Sequence, residues 1–356
     1  MATIKDIAQR CKVSTSTVSR ALKNSDSISK ETKDLIKKAA EELDFRPRSY
    51  KSSAQIVKNG NKIVALLLNV KHQPVASKLI RSITETLASY GYTLAVFDTF
   101  DDPNIELSTL DKIRSSVNGI IVEPIDDRDS YNIEFLKEIN KKIPVVSIVR
   151  NNSISGISSV ISNSFDIFAD GIQTLIDNGH KNIALLVSNL AHKTSFEKLN
   201  AYNETLKKNI LPIKSEYIVY TKFDEEESKT KTKELLTKHP EITALVTSNS
   251  GISRGALLAF GELGLSVPDD ISIMAYGNDI LFSYPGINIT SIEDKHEEMG
   301  SYAANLIANK LENYKYNKRI EPTRIELEPT LHLRGSEVFP KNRLKQQKAK
   351  NKNTKA

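Results

Sequence analysis

From Ile63 onward one unit recurs along the chain: an apolar run, a stretch with helical spacing, then another apolar run. Ile63–Leu68 is continuously apolar, as in a strand buried on both faces of a parallel sheet. Helical spacing follows over residues 75–90, Gly91 breaks it, and residues 92–97 read as a strand. The unit repeats as a helix over 105–115 with a strand at Gly119–Val122, and a helix over 133–139 with a strand at Val145–Val149. A short strand at 158–161 leads into a second set. There, helices over 164–178, 197–208, 225–237 and 252–263 alternate with strands at Ile183–Val187, 217–220, Ala244–Thr247 and 271–274. Helices that return parallel strands to one sheet cover both of its faces. Two such runs predict an α/β body of two doubly wound sheets. A ligand is expected in the crevice between them, at the C-terminal ends of the strands.

The first 47 residues follow another pattern. Residues 3–24, TIKDIAQRCKVSTSTVSRALKN, hold two short helical stretches either side of a tight break. Ile4, Ile7 and Ala8 share a face of the first; Val18, Ala21 and Leu22 share a face of the second. Val13 points inward at the break, and Ser14 follows as an N-cap whose hydroxyl can accept a free first-turn amide. Ser29 is placed to cap a third helix over 30–43, with Leu35, Ile36, Ala39, Ala40 and Leu43 as its apolar face. Asp44-Phe45-Arg46-Pro47 ends it, because the residue before proline leaves the helical region. The result is an all-α helix-turn-helix unit. Thr15, Ser16 and Arg20 are candidates for base edges in a major groove. Thr3, Ser14, Thr17, Ser19, Asn24 and Ser29 are candidates for phosphates and register.

Charge placement agrees. Residues 1–62 carry a net +7 and residues 341–356 another +7, so the total of +6 leaves −8 on 63–340. A basic head on an acidic body points to nucleic acid at the head. Other classes recede. No run of 18 apolar residues exists, so no membrane span is expected. The helix-turn-helix begins at once, leaving no room for a signal peptide, so a cytoplasmic, nucleoid-associated protein is expected. Cys11 is the single cysteine, and no metal-ligand spacing is present. No G-x-G-x-x-G in strand-turn context, P-loop or G-x-S-x-G occurs, so neither an enzyme nor a cofactor is expected.

The wording of the head is specific. TIKDIA, VSTSTVSRAL, Ile28-Ser29-Lys30-Glu31-Thr32 and Phe45-Arg46-Pro47 resemble the headpiece of the LacI/GalR family of transcriptional regulators. The body resembles the same family at residues 117–121, 144–146, 178–184 and 267–273. The resemblance implies a sensor similar to periplasmic sugar-binding proteins, with three chain crossings, near Ser162, Ser291 and residues 316–322. The implied organisation is a headpiece (1–47), a hinge (48–62), an N-subdomain (63–162 plus about 291–320), a C-subdomain (163–290 plus about 321–340) and a basic, disordered tail (341–356). It implies a homodimer on a pseudo-palindromic DNA operator, because the tail has no leucine heptads. In the family the hinge folds on DNA and wedges a leucine into the minor groove. Here Val57 or Ala54 occupies that place, with Lys58 beside it.

The resemblance also marks an effector pocket. Its expected members are His72, Val75, Arg150, Asn163, Lys198, Asn249, Ser250, Tyr276, Asn278 and Asp294. At three positions where the family carries an acid this chain has Ser162, Ser250 and Gly277, and Val149 stands before Arg150. Losing carboxylates while keeping Arg150 and Lys198 predicts a less negative crevice. A carbohydrate-related or anionic metabolite is then the expected small-molecule effector. Control by a protein partner, or by DNA affinity alone, is the competing reading. A solute-binding protein for transport is a remote one.

Overall fold

The computed structural model describes residues 4–22, 28–42, 62–70, 73–125, 130–150, 154, 156–188, 192–222, 224–314 and 321–343. Thr3, Asn24, Ala54, Val57, Lys58, His72, the hinge stretch 48–61 and the tail beyond 343 lie outside them, as does the side chain of Ser19. The chain divides into two compact units, Met1–Gln55 and Ile56–Ala356.

The smaller unit holds α1 (Ile4–Arg10), α2 (Thr15–Leu22) and α3 (Lys30–Glu42). Ile7, Ala8, Val18, Ala21, Ile36, Ala39 and Ala40 form its core, with Cys11, Val13 and Ile28 packed at the edge. Leu35 departs from the expected apolar face of α3: it is 54% exposed. Helical spacing puts Ile36, Ala39 and Ala40 on one stripe, and Leu35 falls about 100° away from Ile36.

The larger unit contains two six-stranded sheets. In the first, β1 (Ile63–Leu68), β2 (Thr93–Asp98), β3 (Gly119–Val122), β4 (Val145–Val149), β5 (Ser158–Ser162) and β11 (Arg324–Leu327) lie in the order β11-β5-β4-β3-β1-β2. In the second, β6 (Ile183–Val187), β7 (Ile218–Tyr220), β8 (Ala244–Thr247), β9 (Ser272–Tyr276), β10 (Thr290–Glu293) and β12 (Thr330–His332) lie in the order β12-β10-β9-β8-β6-β7. All pairings are parallel except β10 with β12. Strands β1, β3, β5, β6, β8 and β9 are almost wholly buried, as strands covered on both faces of a parallel sheet are. The connecting helices are α4 (Gln73–Ser89), α5 (Pro103–Ile113), α6 (Tyr131–Asn140), α7 (Ser164–Asp177), α8 (Lys193–Lys208), α9 (Glu225–Lys238), α10 (Ser250–Glu262) and α11 (His296–Tyr314). Each sheet has a separate apolar cluster on either face.

The two subdomains exchange chain three times. The first crossing follows Ser162 and the second follows Glu293, since β10 still pairs with β9. The third lies later than residues 316–322. Arg324–Leu327 pairs in parallel with β5 in the first sheet, and only Thr330–His332 joins the second. The Ser158 hydroxyl accepts the Thr323 amide at 2.9 Å and fixes the start of that edge strand. The crossing is therefore the Glu328-Pro329 step.

Candidate functional site

Two regions carry chemistry. In the smaller unit the Ser14 hydroxyl accepts the Thr17 amide at 3.0 Å, capping α2 as its sequence position predicts. It also shares short hydrogen bonds with the Ser16 (2.7 Å) and Thr17 (2.8 Å) hydroxyls. Ser29 caps α3 in the same way through the Thr32 amide at 3.3 Å. Thr15, Ser16 and Arg20 are exposed on α2, away from Val18 and Ala21, which are sealed in the core. α2 thus presents short hydroxyls at its first turn and one guanidinium in its last turn. Those are groups that bind phosphates and base edges.

In the larger unit a cavity of about 140 Å3 opens between the sheets, at the C-terminal ends of their strands. One water needs roughly a tenth of that volume, so a small organic molecule fits. Val75, Arg150, Lys198, Asn249, Ser250, Tyr276 and Asp294 line it, as expected. Asn163 and Asn278 turn elsewhere. Asn163 sits before α7 and bonds Asp166, while its neighbours Ser162 and Ser164 face the cavity. Asn278 donates to Glu293 at 2.9 Å and accepts from Ser291 and Arg334, which makes it part of the crossing scaffold.

Arg150 is delivered by an unusual turn. Val149 has φ +67°, and the Arg150 amide bonds back to the Ile148 carbonyl at 2.7 Å. A β-branched residue in that region carries strain of about 1–3 kcal/mol, a pattern that concentrates at functional sites. The guanidinium then uses four of its five N–H donors. It bonds Asp101 at 2.8 Å, Glu123 at 3.4 Å, the Ile125 carbonyl, and Nδ1 of His192 at 2.7 Å. Arginine only donates, so Nδ1 of His192 accepts; the ring is neutral with its proton on Nε2. Burial works against the Arg150 charge, yet Glu123 and Asp101 more than offset it and raise its pKa. Buried Glu106 anchors the same wall, accepting the Ile125 amide (3.0 Å) and the Asn132 side chain (2.9 Å). Burial pushes its carboxyl pKa up. The Arg150–His192 bond spans the two subdomains, as does the Lys78–Glu293 ion pair.

The opposite wall is built differently. Lys198 donates to the Ser248 carbonyl at 2.9 Å, and its ammonium lies 3.2 Å from the Tyr276 ring centre. Burial pulls its pKa down to about 8, against the pull of nearby Asp294. The Tyr276 hydroxyl donates to Asp294 at 2.8 Å and accepts from Ser164 at 2.9 Å. Ser188 and Ser195 pair at 2.7 Å. Burial keeps His296 below its usual pKa, beside Asp294. Two buried polar atoms on the cavity, Ser162 Oγ and Asn249 Nδ2, have no partner. Buried polar atoms are rarely left so, and a ligand is one way to satisfy them.

Sequence reasoning missed Asp101, Glu123 and His192. Among the described residues the lining holds the carboxylates Asp101, Glu123 and Asp294 with the cations Arg150 and Lys198. Asp101 and Glu123 thus bring to the crevice two carboxylates that the sequence reading did not count. Asp101 follows β2 and Glu123 follows β3, and both accept from Arg150. Glu123 was findable as the residue directly after the apolar run of β3. Asp101 was not, because two consecutive left-handed residues, Phe100 (φ 51°) and Asp101 (φ 57°), aim it.

Residues 3–48 match the family of bacterial regulatory proteins called lacI, and residues 172–337 match the periplasmic binding protein-like domain. The PurR transcriptional repressor of Actinobacillus pleuropneumoniae serotype 3 (strain JL03) is 29% identical over 339 residues, covering 94% of this chain and 98% of that protein. The head of the chain is a lacI-family DNA-binding domain and its body a periplasmic binding protein-like domain. In fold it is similar to the transcriptional regulator CelR in complex with cellobiose, with a TM-score of 0.69, 22% identity and coverage of 94% of this chain and 100% of CelR. It is also similar to the lac repressor dimer bound to operator and the anti-inducer ONPF, with a TM-score of 0.66, 20% identity and coverage of 95% and 99%. With this head and body the chain is a DNA-binding transcriptional regulator with a sensor domain. The headpiece match removes the transport alternative. Among the described residues no helix is long and apolar enough to cross a membrane.

Proposed function

We propose that this regulator is a LacI-family repressor that binds a pseudo-palindromic operator as a homodimer and is controlled by a small polar effector. The two α2 helices of a dimer would enter successive major grooves. Thr15, Ser16 and Arg20 would read base edges, while Ser14, Thr17 and Ser29 hold phosphates. Thr3, Ser19 and Asn24, and hinge residues Ala54, Val57 and Lys58, are assigned to backbone and minor-groove contacts by family resemblance. The protein would act in the cytoplasm, without catalysis and without a cofactor.

Effector binding in the cleft would shift the closure of the two subdomains, and with it operator affinity, by population shift. The observation that carries the sensing half is the cavity itself, with Ser162 Oγ and Asn249 Nδ2 buried and unpartnered on it. Those atoms favour a small molecule over a protein docked outside.

Selection from a random duplex library, followed by sequencing, tests the DNA half. The expected product is a two-fold-related site that Arg20→Ala recognises with relaxed specificity. Enrichment of a single unrepeated half-site, or of none, refutes the dimeric operator. A thermal-shift screen of the full chain against sugars, nucleobases and amines tests the sensing half. A stabilising ligand that leaves operator affinity unchanged refutes it.

A further inference from the structure

We propose that residues 344–356 are a second DNA-binding element, and that they grip a duplex other than the one held by the headpieces, so that one regulator joins two segments of DNA. Of the head this requires only that it binds DNA, and of the cleft nothing.

The chain enters and leaves the body at opposite poles. It enters at Ile63, the start of β1, whose amide donates to the Asn118 side chain at 2.7 Å, just before β3. That is the N-terminal end of the first sheet, and the cleft lies at the other end. The chain leaves over the N-terminal ends of β6, β8 and β9 in the second sheet. There His180, three residues before β6, meets the Glu337 carbonyl at 3.2 Å, and its ring centre lies 5.1 Å from that of Phe339. The Asn342 amide donates to the Asp269 carbonyl at 3.1 Å and the Asn342 side chain to Asp270 at 2.7 Å, both just before β9. Arg343 donates to the Pro240 carbonyl, ahead of β8. The cleft lies between these two poles, at the C-terminal ends of both sets of strands.

Reach decides which DNA the last residues can meet. A subdomain of about 130 residues has a radius of gyration of about 14 Å and measures about 36 Å across, so two end to end span about 70 Å. The thirteen residues 344–356 cover at most about 47 Å at full extension. They fall short of the pole from which the head is tethered. A separate duplex passing the far pole lies within their reach.

Their chemistry fits a phosphate backbone. They hold Lys345, Lys348, Lys350, Lys352 and Lys355 and no acid. Two acids at the root are already engaged: Asp269 pairs with Lys341 at 3.5 Å, and Asp270 accepts from Asn342 and from the Ser266 amide. The lysines are interspersed with Asn, Gln, Ala and Thr, with no aromatic ring and no arginine among them. Lysines and amides bind phosphates, but no ring is present to stack on a base and no guanidinium fork to read one. A duplex carries one negative charge per about 1.7 Å of axis, so binding is driven by counterion release and is indifferent to sequence.

A capture experiment tests this. Full-length protein is loaded on an immobilised operator duplex obtained by selection, washed, and offered a fluorescent duplex of random sequence. The same is done with protein ending at Arg343, and with full-length protein carrying Lys→Gln at 345, 348, 350, 352 and 355. The full chain is expected to retain the second duplex. Both variants are expected to retain at least tenfold less of it, with operator affinity unchanged. Five phosphate contacts give a slope of about −4.5 in log affinity against log salt, so a fourfold rise in salt should weaken the second duplex about 500-fold.

Variants that retain as much of the second duplex as the full chain overturn the proposal. So does a loss of operator affinity in the variants without any capture by the full chain, which puts the lysines on the same duplex as the head. Retention of vesicles containing phosphatidylserine where the duplex is not retained assigns them to a membrane and overturns it too. If selection yields no operator, an immobilised random-sequence duplex at low salt takes its place, so the operator reading can fail while the bridge is still read.

Discussion

The two walls of the effector cleft solve the problem of burying charge in opposite ways. On the N-subdomain wall, Arg150 donates to two carboxylates and a carbonyl, and across the cleft to a histidine nitrogen. On the C-subdomain wall, Lys198 has one carbonyl and the face of an aromatic ring, with hydroxyls around it. The first wall is a closed electrostatic unit that holds its own geometry. The second keeps donors and acceptors unspent, and that is where ligand discrimination by hydrogen bonding belongs. A buried guanidinium can be structural while a buried ammonium a few residues from it in space remains poised.

Replacing each cation by methionine separates the two designs. Arg150→Met strands Asp101 and Glu123 beside each other, and breaking a buried ion pair costs about 3–5 kcal/mol. Because Asp101 is partly exposed, the lower end, about 3 kcal/mol, is expected in urea unfolding of the full chain. Adding Asp101→Asn and Glu123→Gln to that variant should recover most of the loss. If it does not, the unit is not electrostatic.

Lys198→Met should act in the opposite direction. A poorly partnered buried ammonium replaced by an apolar side chain of similar length typically stabilises, here by about 1–3 kcal/mol at neutral pH. A loss of stability would show that the ring and carbonyl satisfy Lys198 fully and would erase the contrast between the walls.

The pH dependence of that gain gives the third comparison. Lys198 titrates near 8 when folded, against 10.5 for an unhindered lysine. Between those values the unfolded chain binds a proton that the folded chain does not, so folded stability rises with pH across the window. The cost of burying the ammonium is complete below about pH 8 and fades above it. The advantage of Lys198→Met should therefore shrink steadily from pH 8 to pH 10. A constant advantage would assign it to packing instead.

Tyr276→Phe is the smallest change. It removes the hydroxyl between Asp294 and Ser164 but leaves the ring under Lys198, and about 1 kcal/mol should be lost. If the midpoint does not move, the hydroxyl is not holding Asp294 in place for the ligand.

Much of the fold was legible in the chain. Unbroken apolar runs such as Ile63–Leu68 and Ile183–Val187 had to be strands buried on both faces, and they are. The helix caps Ser14 and Ser29 were equally plain, because a cap is a contact between residues three apart. The third crossing was not. Arg324–Leu327 is a short, half-exposed edge strand, and its sheet is decided by pairing with β5, more than 160 residues away. In the cleft, resemblance named Arg150, Lys198 and Tyr276, which line the cavity, but not the Asp101 and Glu123 that hold Arg150. An alignment position says nothing of its neighbours in space.

Composition, period and local hydrogen bonding belong to the sequence alone. They determined a basic helix-turn-helix head, two doubly wound sheets and a crevice at the strand ends, since each follows from contacts within a few residues or from a repeating pattern. The charge of that crevice belongs to the tertiary structure. Asp101, Glu123 and Arg150 come from three different strand ends, turned inward by left-handed residues at 100, 101 and 149, and they meet only when β2, β3 and β4 lie in one sheet. Coulomb energy depends on distance in space, and no linear reading of the chain contains that distance.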